Sequence, residues 1–210
     1  MNKTLFMTIA ICSTLTATAS FAASTELQEV QTSWAECQYH TPDKEFKQQC
    51  LNEVIQKNSD YLAQQPNDPE LTVWLAINKS SLAGAKGGLG ALSLVKEAKE
   101  LLESVIDRAP QTLEGSAYTS LGSLYYQVPG WPIGFGNDKE AEKMLKKALE
   151  INPNGIDPNY FYADFLVQDG RKEEAKQYFN RALQASPRPN RPLADEGRRM
   201  EIQAKLKELS

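Results

Sequence analysis

Cys37, His40 and Cys50 are the most reactive side chains in the body of this chain, and their number limits what they can do. A tetrahedral zinc site takes four ligands from cysteine, histidine and carboxylate groups, so this trio cannot complete one without carboxylates. No G-x-S-x-G elbow, paired metal-ligand motif or Cys–His pair at a groove is present. His40 falls in a turn beside a helix start, where exposure to solvent is expected. Acidic pairs such as Glu173-Glu174 lie on lysine-rich helix faces and read as surface charge. The chain is therefore expected to bind rather than to catalyse, with no metal and no cofactor.

The two cysteines have a structural use. Between them runs Tyr39-His40-Thr41-Pro42-Asp43, in which Thr41 can cap a helix and Pro42 can take its first position. Antiparallel helices joined there would bring Cys37 opposite Cys50 at the geometry of a disulfide. Closing so short a loop stabilises by about 3 kcal/mol in the chain-entropy model. The alternative is two separately buried thiols.

Two glycine-containing segments offer candidate binding loops. Residues 128–136 combine Trp131, Ile133 and Phe135 with two prolines and three glycines. Such a loop either folds back to plug a gap between helices or presents its apolar side chains to a ligand or partner. Residues 83–90 include Lys86, Gly87 and Gly88 and run into a helix, whose first N–H groups can hold an anion. They lack the G-x-x-x-x-G-K-[ST] pattern and a preceding strand, so this is not a P-loop. A plain connector is the competing reading.

Helices must position all of these groups. Caps and apolar spacing predict helices near 25–38, 43–64, 69–83, 91–108, 113–127, 138–151, 158–168, 171–185 and 192–208. Asp68 with Pro69 and Asp157 with Pro158 read as helix openers, and Asn137 with Glu140 as a capping box. Strand-length alternation of β-branched residues is lacking, so the fold is expected to be all-α. Ala141, Leu145, Ala148 and Pro153 recur 34 positions later as Ala175, Phe179, Ala182 and Pro187. Tyr162-Ala163 and Leu166 add a bulky-small-bulky first helix. This period and these residue types resemble the tetratricopeptide repeat (TPR), whose helix pairs stack into a right-handed solenoid.

The resemblance implies a concave groove lined by the first helix of each repeat. Carried over residue by residue, the groove positions are Thr119, Ser123 and Tyr126 in the middle repeat and Tyr160 and Asp164 in the last. An upstream repeat contributes Leu75, Lys79 and Leu82. The middle repeat carries seven extra residues between its helices and the upstream one is interrupted similarly. Both loops, including Lys86, Gly87, Gly88, Trp131, Ile133 and Phe135, are thus expected at one edge of the solenoid, where long loops often carry function.

The expected organisation is a signal peptide over 1–22, a helical hairpin over 23–66, TPR-like repeats over 67–187 and a capping helix over 188–210. Lys3, an apolar-to-small stretch and Ser20-Phe21-Ala22 predict cleavage after Ala22, giving a periplasmic or secreted protein. The apolar stretch is too short for a retained membrane span. Cys12 follows Ile11 and makes a poor lipobox. Without Lys3, 22 basic residues face 27 acidic ones, a net charge of −5 that gives no footprint for nucleic acid. Arg188, Arg191, Arg198 and Arg199 interleave with Asp195, Glu196 and Glu201 and read as a solvated helix face. The expected partner is another envelope protein or a peptide, and alternatively a small apolar ligand.

The layout of residues 118–154 and the 187–199 tail also looks similar to exported TPR proteins related to the T component of TRAP transporters. More remotely it resembles the regulators of microtubule dynamics. T components are periplasmic lipoproteins whose helices surround an apolar cavity and which associate with a substrate-binding protein. This chain departs from them in its weak lipobox and in its Cys37–Cys50 hairpin.

Overall fold

The computed structural model describes residues 24–210, so the signal-peptide reading and Cys12 lie outside the described residues. Among the described residues nine α-helices follow one another: α1 (Thr25–Tyr39), α2 (Lys44–Gln64), α3 (Pro69–Lys86), α4 (Leu92–Arg108), α5 (Ser116–Gln127), α6 (Asp138–Ile151), α7 (Ile156–Gln168), α8 (Lys172–Leu183) and α9 (Pro192–Glu208). No described helix is long and apolar enough to cross a membrane.

Local chemistry explains most boundaries. The Asp68 carboxylate accepts from Leu71 N at 2.8 Å, with Pro69 opening α3. Asn137 Oδ1 accepts from the N–H groups of Lys139 and Glu140. Its own N–H donates to Tyr125 O at 2.8 Å, so only half of the predicted capping box forms. Several boundaries differ from expectation. Asp43, not Thr41, caps α2, accepting from Glu45 N and Phe46 N, while the Thr41 hydroxyl donates to Glu36 O and finishes α1. α3 continues to Lys86 and stops where Gly87 and Gly88 take left-handed φ values of 69° and 62°. α7 starts at Ile156 with no side-chain cap, so Pro158 lies in its first turn, where proline is tolerated, and the Asp157 carboxylate is left free for other partners.

The helices pack as successive pairs, α1–α2, α3–α4, α5–α6 and α7–α8. The 34-residue echo is a packing code: Ala141, Leu145, Ala148, Ala175, Phe179 and Ala182 are all fully buried. Small residues let the helices approach, and each buried large side chain contributes about 1.5–3 kcal/mol. Cys37 and Cys50 form a disulfide across α1–α2, with Cα atoms 5.6 Å apart.

α9 does more than the expected cap. Besides packing on α7 and α8, it reaches α1 at the other end of the chain. Ala194 and Leu193 join the core cluster of α1, α2 and α3. Gln28 Nε2 donates to Asn190 O, and Gly197 lies against the Tyr39 ring so tightly that a Cβ there would collide with it. The two ends of the solenoid therefore meet, and α1, α3, α5, α7 and α9 surround the concave face.

Candidate functional site: a central cavity with a charged neck

A cavity of about 430 Å³ lies inside this ring. Its wall is built by repetition. Trp34 and Gln38 of α1, Ile77 and Ser81 of α3, Thr119 and Ser123 of α5, and Tyr160 and Asp164 of α7 all line it. In each helix the two residues are four apart, one turn on a single face. One turn earlier, Trp74, Ser116 and Asp157 are likewise equivalent to one another and line the same cavity.

Four predicted groove residues, Thr119, Ser123, Tyr160 and Asp164, are therefore in the wall. Tyr126 is buried behind it, its hydroxyl donating to Asp164 Oδ2 at 2.9 Å, while Lys205 Nζ lies 2.9 Å from Asp164 Oδ1. Burial, with Asp164 adding to it, pushes the Tyr126 phenol pKa well up. In α3 the register is corrected by two residues: Ile77, Ser81 and Gly84 face inward, not Leu75, Lys79 and Leu82. Leu75 and Leu82 are buried in packing, and Lys79 Nζ pairs with Glu97 on α4 at 2.6 Å. Lys79-Ser80 occupies the place of Leu121-Gly122 and Tyr162-Ala163, so α3 lacks the pair that would have marked its register.

The expected loop pocket does not assemble around the cavity. None of Lys86, Gly87, Gly88, Trp131, Ile133 and Phe135 lines it. Phe135 turns back onto Tyr125, ring centroids 5.8 Å apart, and plugs the α4–α5 core. Trp131 and Ile133 point outward, 90% and 56% exposed. The loop that carries them is pinned by Gly136 N donating to Pro129 O at 3.0 Å and Asn137 N to Tyr125 O. At Gly136 the Val128 carbonyl leaves no room for a Cβ.

The C-terminal arginines overturn the reading of a solvated face. Arg198 is 8% exposed, its guanidinium 4.1 Å from the Tyr160 ring centroid. Its Nε donates to Asp157 Oδ1 at 3.0 Å and its Nη1 to Glu201 Oε2 at 2.6 Å. Arg188 Nη1 donates to Asp157 Oδ2 at 2.6 Å while its Nε binds Asp195. Burial works against charge on Asp157, but Arg188, Arg198 and Arg191 outweigh it and hold the carboxyl well below the usual range. Burial also raises the Glu201 pKa, against the pull of Arg198.

Arg191 is different. It stacks on Trp74 at 4.8 Å, and its ion pair is a long one, 3.9 Å to Asp157 Oδ2. Among the described residues neither its buried Nε nor the buried Trp74 Nε1 has a hydrogen-bond partner. Burial pushes the Arg191 pKa down to about 10 although Asp157 opposes it. A second cavity, of about 810 Å³, begins on the other side. The two share Trp74, Ser116, Thr119, Asp157 and Arg191, which form the neck between them. Leu113, Glu114 and Gly115 turn the chain into α5 beside the second cavity with three successive left-handed φ values. This strained turn replaces the predicted helical start at 113.

This architecture is that of a helical-repeat protein. Residues 134–194 match the family model of the tetratricopeptide repeat, and the chain as a whole has a TPR-like fold. No curated protein matches the chain. A solved structure of TTC0263, a thermophilic TPR protein of Thermus thermophilus, is similar with a TM-score of 0.56 and 21% identity. That match covers 87% of this chain and 89% of the other. MamA of AMB-1 overlays with a TM-score of 0.43 at 19% identity over 88% of this chain and 89% of its own. A MamA RS-1 double mutant gives 0.34 at 15% over 89% and 99%. Neither the matched model nor these structures bears on the likeness to TRAP T components.

Proposed function

We propose that this protein is an exported TPR scaffold that binds another envelope protein through the loop at residues 128–136. The observation that carries the reading is Trp131, 90% exposed beside the exposed Ile133 on a loop fixed by backbone hydrogen bonds and by Phe135. Tryptophan is one of the residues enriched among interface anchors, because its large apolar area is buried at little cost in side-chain entropy. The concave face is a poorer candidate than sequence reasoning made it, since its ends meet and Tyr126 and Asp164 are engaged with each other. Export is supported by the leader-like residues 1–22 and by the Cys37–Cys50 disulfide, which suits an oxidising compartment. Amino-terminal sequencing of the purified protein tests it, with Ala23 expected as the first residue. Trp131→Ala combined with Ile133→Ala is expected to abolish co-purification of the partner with helicity unchanged. Retention of every partner by that variant would remove the loop from the interface.

A second reading has its own observation. The cavity of about 430 Å³, walled by Trp34, Trp74, Ile77 and Phe161, has the size and mixed lining of a small-molecule site.

A further inference from the structure

We infer that the neck of the central cavity binds the carboxylate of a small organic acid, with Arg191 and Trp74 as the recognition residues. This deepens the small-ligand reading of the cavity and is independent of the partner surface at Trp131.

The argument begins with donors that nothing satisfies. A buried polar group without a partner is destabilising, and more so when it is charged. Of the four buried side-chain atoms in the described residues that lack a partner, two meet at this neck: Trp74 Nε1 and Arg191 Nε. Trp74 is 2% exposed and borders both cavities, as does Arg191. The neighbouring cations show how unusual this is. Arg188 and Arg198 each hold two carboxylates at hydrogen-bond distance, whereas Arg191 has Asp157 at 3.9 Å. Its guanidinium is nevertheless held in place, stacked on the Trp74 ring. A planar, always-charged fork fixed at a cavity wall matches a carboxylate, which accepts two parallel N–H bonds. Ser116 and Thr119 add hydroxyls at the same level.

Charge and space narrow the class. Asp157 lies beside Arg191, so a monoanion fits better than a dianion, which would meet a second negative charge at short range. The rest of the ligand has the wall formed by Trp34, Ile77, Ala85 and Phe161. Contact between α1 and α9 closes the ring of helices around this space, and its volume of about 430 Å³ suits a small molecule better than a polypeptide.

The test is calorimetric titration of the exported chain with octanoate and, separately, octanamide, which keeps the tail and removes the charge. Octanoate is expected to bind at least ~10-fold more tightly, the ratio that one charge-assisted hydrogen bond supplies. Arg191→Gln should bring the acid down to the affinity of the amide. Trp74→Phe keeps the ring under Arg191 and removes the N–H, and should weaken octanoate while leaving octanamide unchanged. Equal binding of acid and amide would overturn the carboxylate assignment while leaving the cavity reading standing. Failure of both to bind would remove both. Discrimination that persists in folded Arg191→Gln would show that another group reads the charge. If that variant does not fold, Trp74→Phe and the wild-type comparison decide the question.

Discussion

Trp74 and Trp131 show the two faces of this protein. Trp74 is 2% exposed, at a neck where three arginines converge, whereas Trp131 is 90% exposed at the outer edge. Each belongs to an element whose shape is over-determined. The neck is built from first-helix positions repeated along the solenoid and sealed by α9. The outer loop is held by its own backbone and by Phe135. On the proposed reading the difference separates two tasks: an interior shaped and charged for something small, and an exterior anchor shaped for something large.

The sharpest way to break the inner half is Asp157→Asn. Removing the carboxylate shared by Arg188 and Arg198 leaves buried cations without it, and such losses cost about 3–5 kcal/mol. Urea unfolding should report a loss of that order, with no comparable loss in the Trp131→Ala protein. Next in size, Gly197→Ala puts a methyl group into the Tyr39 ring and should destabilise by about 1–3 kcal/mol. Alanine is the better helix former by about 1 kcal/mol, so a net loss in thermal melting would report the α1–α9 contact itself.

A smaller effect is expected from acid. The Asp157 pKa is lowered in the folded protein, so its contribution is present above the unfolded value of ~3.9 and disappears as pH falls through and below it. The slope of unfolding free energy against pH in that range should be shallower in Asp157→Asn. The smallest change in stability is assigned to the outer half: Trp131→Ala should stay within ~0.5 kcal/mol of wild type, as exposed substitutions do, while partner binding is lost.

Much of the inner face was legible because periodicity is a local signal. The echo from Ala141 to Pro187 outlined α5 to α8, although α5 and α7 start at other residues than expected, and Thr119, Ser123, Tyr160 and Asp164 line the cavity. The cysteine spacing announced its hairpin. In α3 the reading slipped by two residues because Lys79 and Ser80 stand where later repeats have a bulky-small pair. The arginines were misread for a different reason. Arg188, Arg191 and Arg198 have acidic neighbours in sequence, which satisfy a surface interpretation, yet the carboxylate that organises them is Asp157, on a helix two elements earlier. Its role was hidden because Asp157-Pro158 looks like a helix opener, while the chain starts α7 at Ile156 without using that carboxylate as a cap. The outward turn of Trp131, against the inward turn of Phe135, is decided by loop geometry that composition does not encode.

The central claim is that inside and outside are separate sites, and native mass spectrometry of two variants purified gently under identical conditions addresses it most directly. Arg191→Gln is expected to lose any bound small acid and to retain the protein partner. Trp131→Ala is expected to do the reverse. Loss of the protein partner in folded Arg191→Gln, or its retention in Trp131→Ala, would contradict the division.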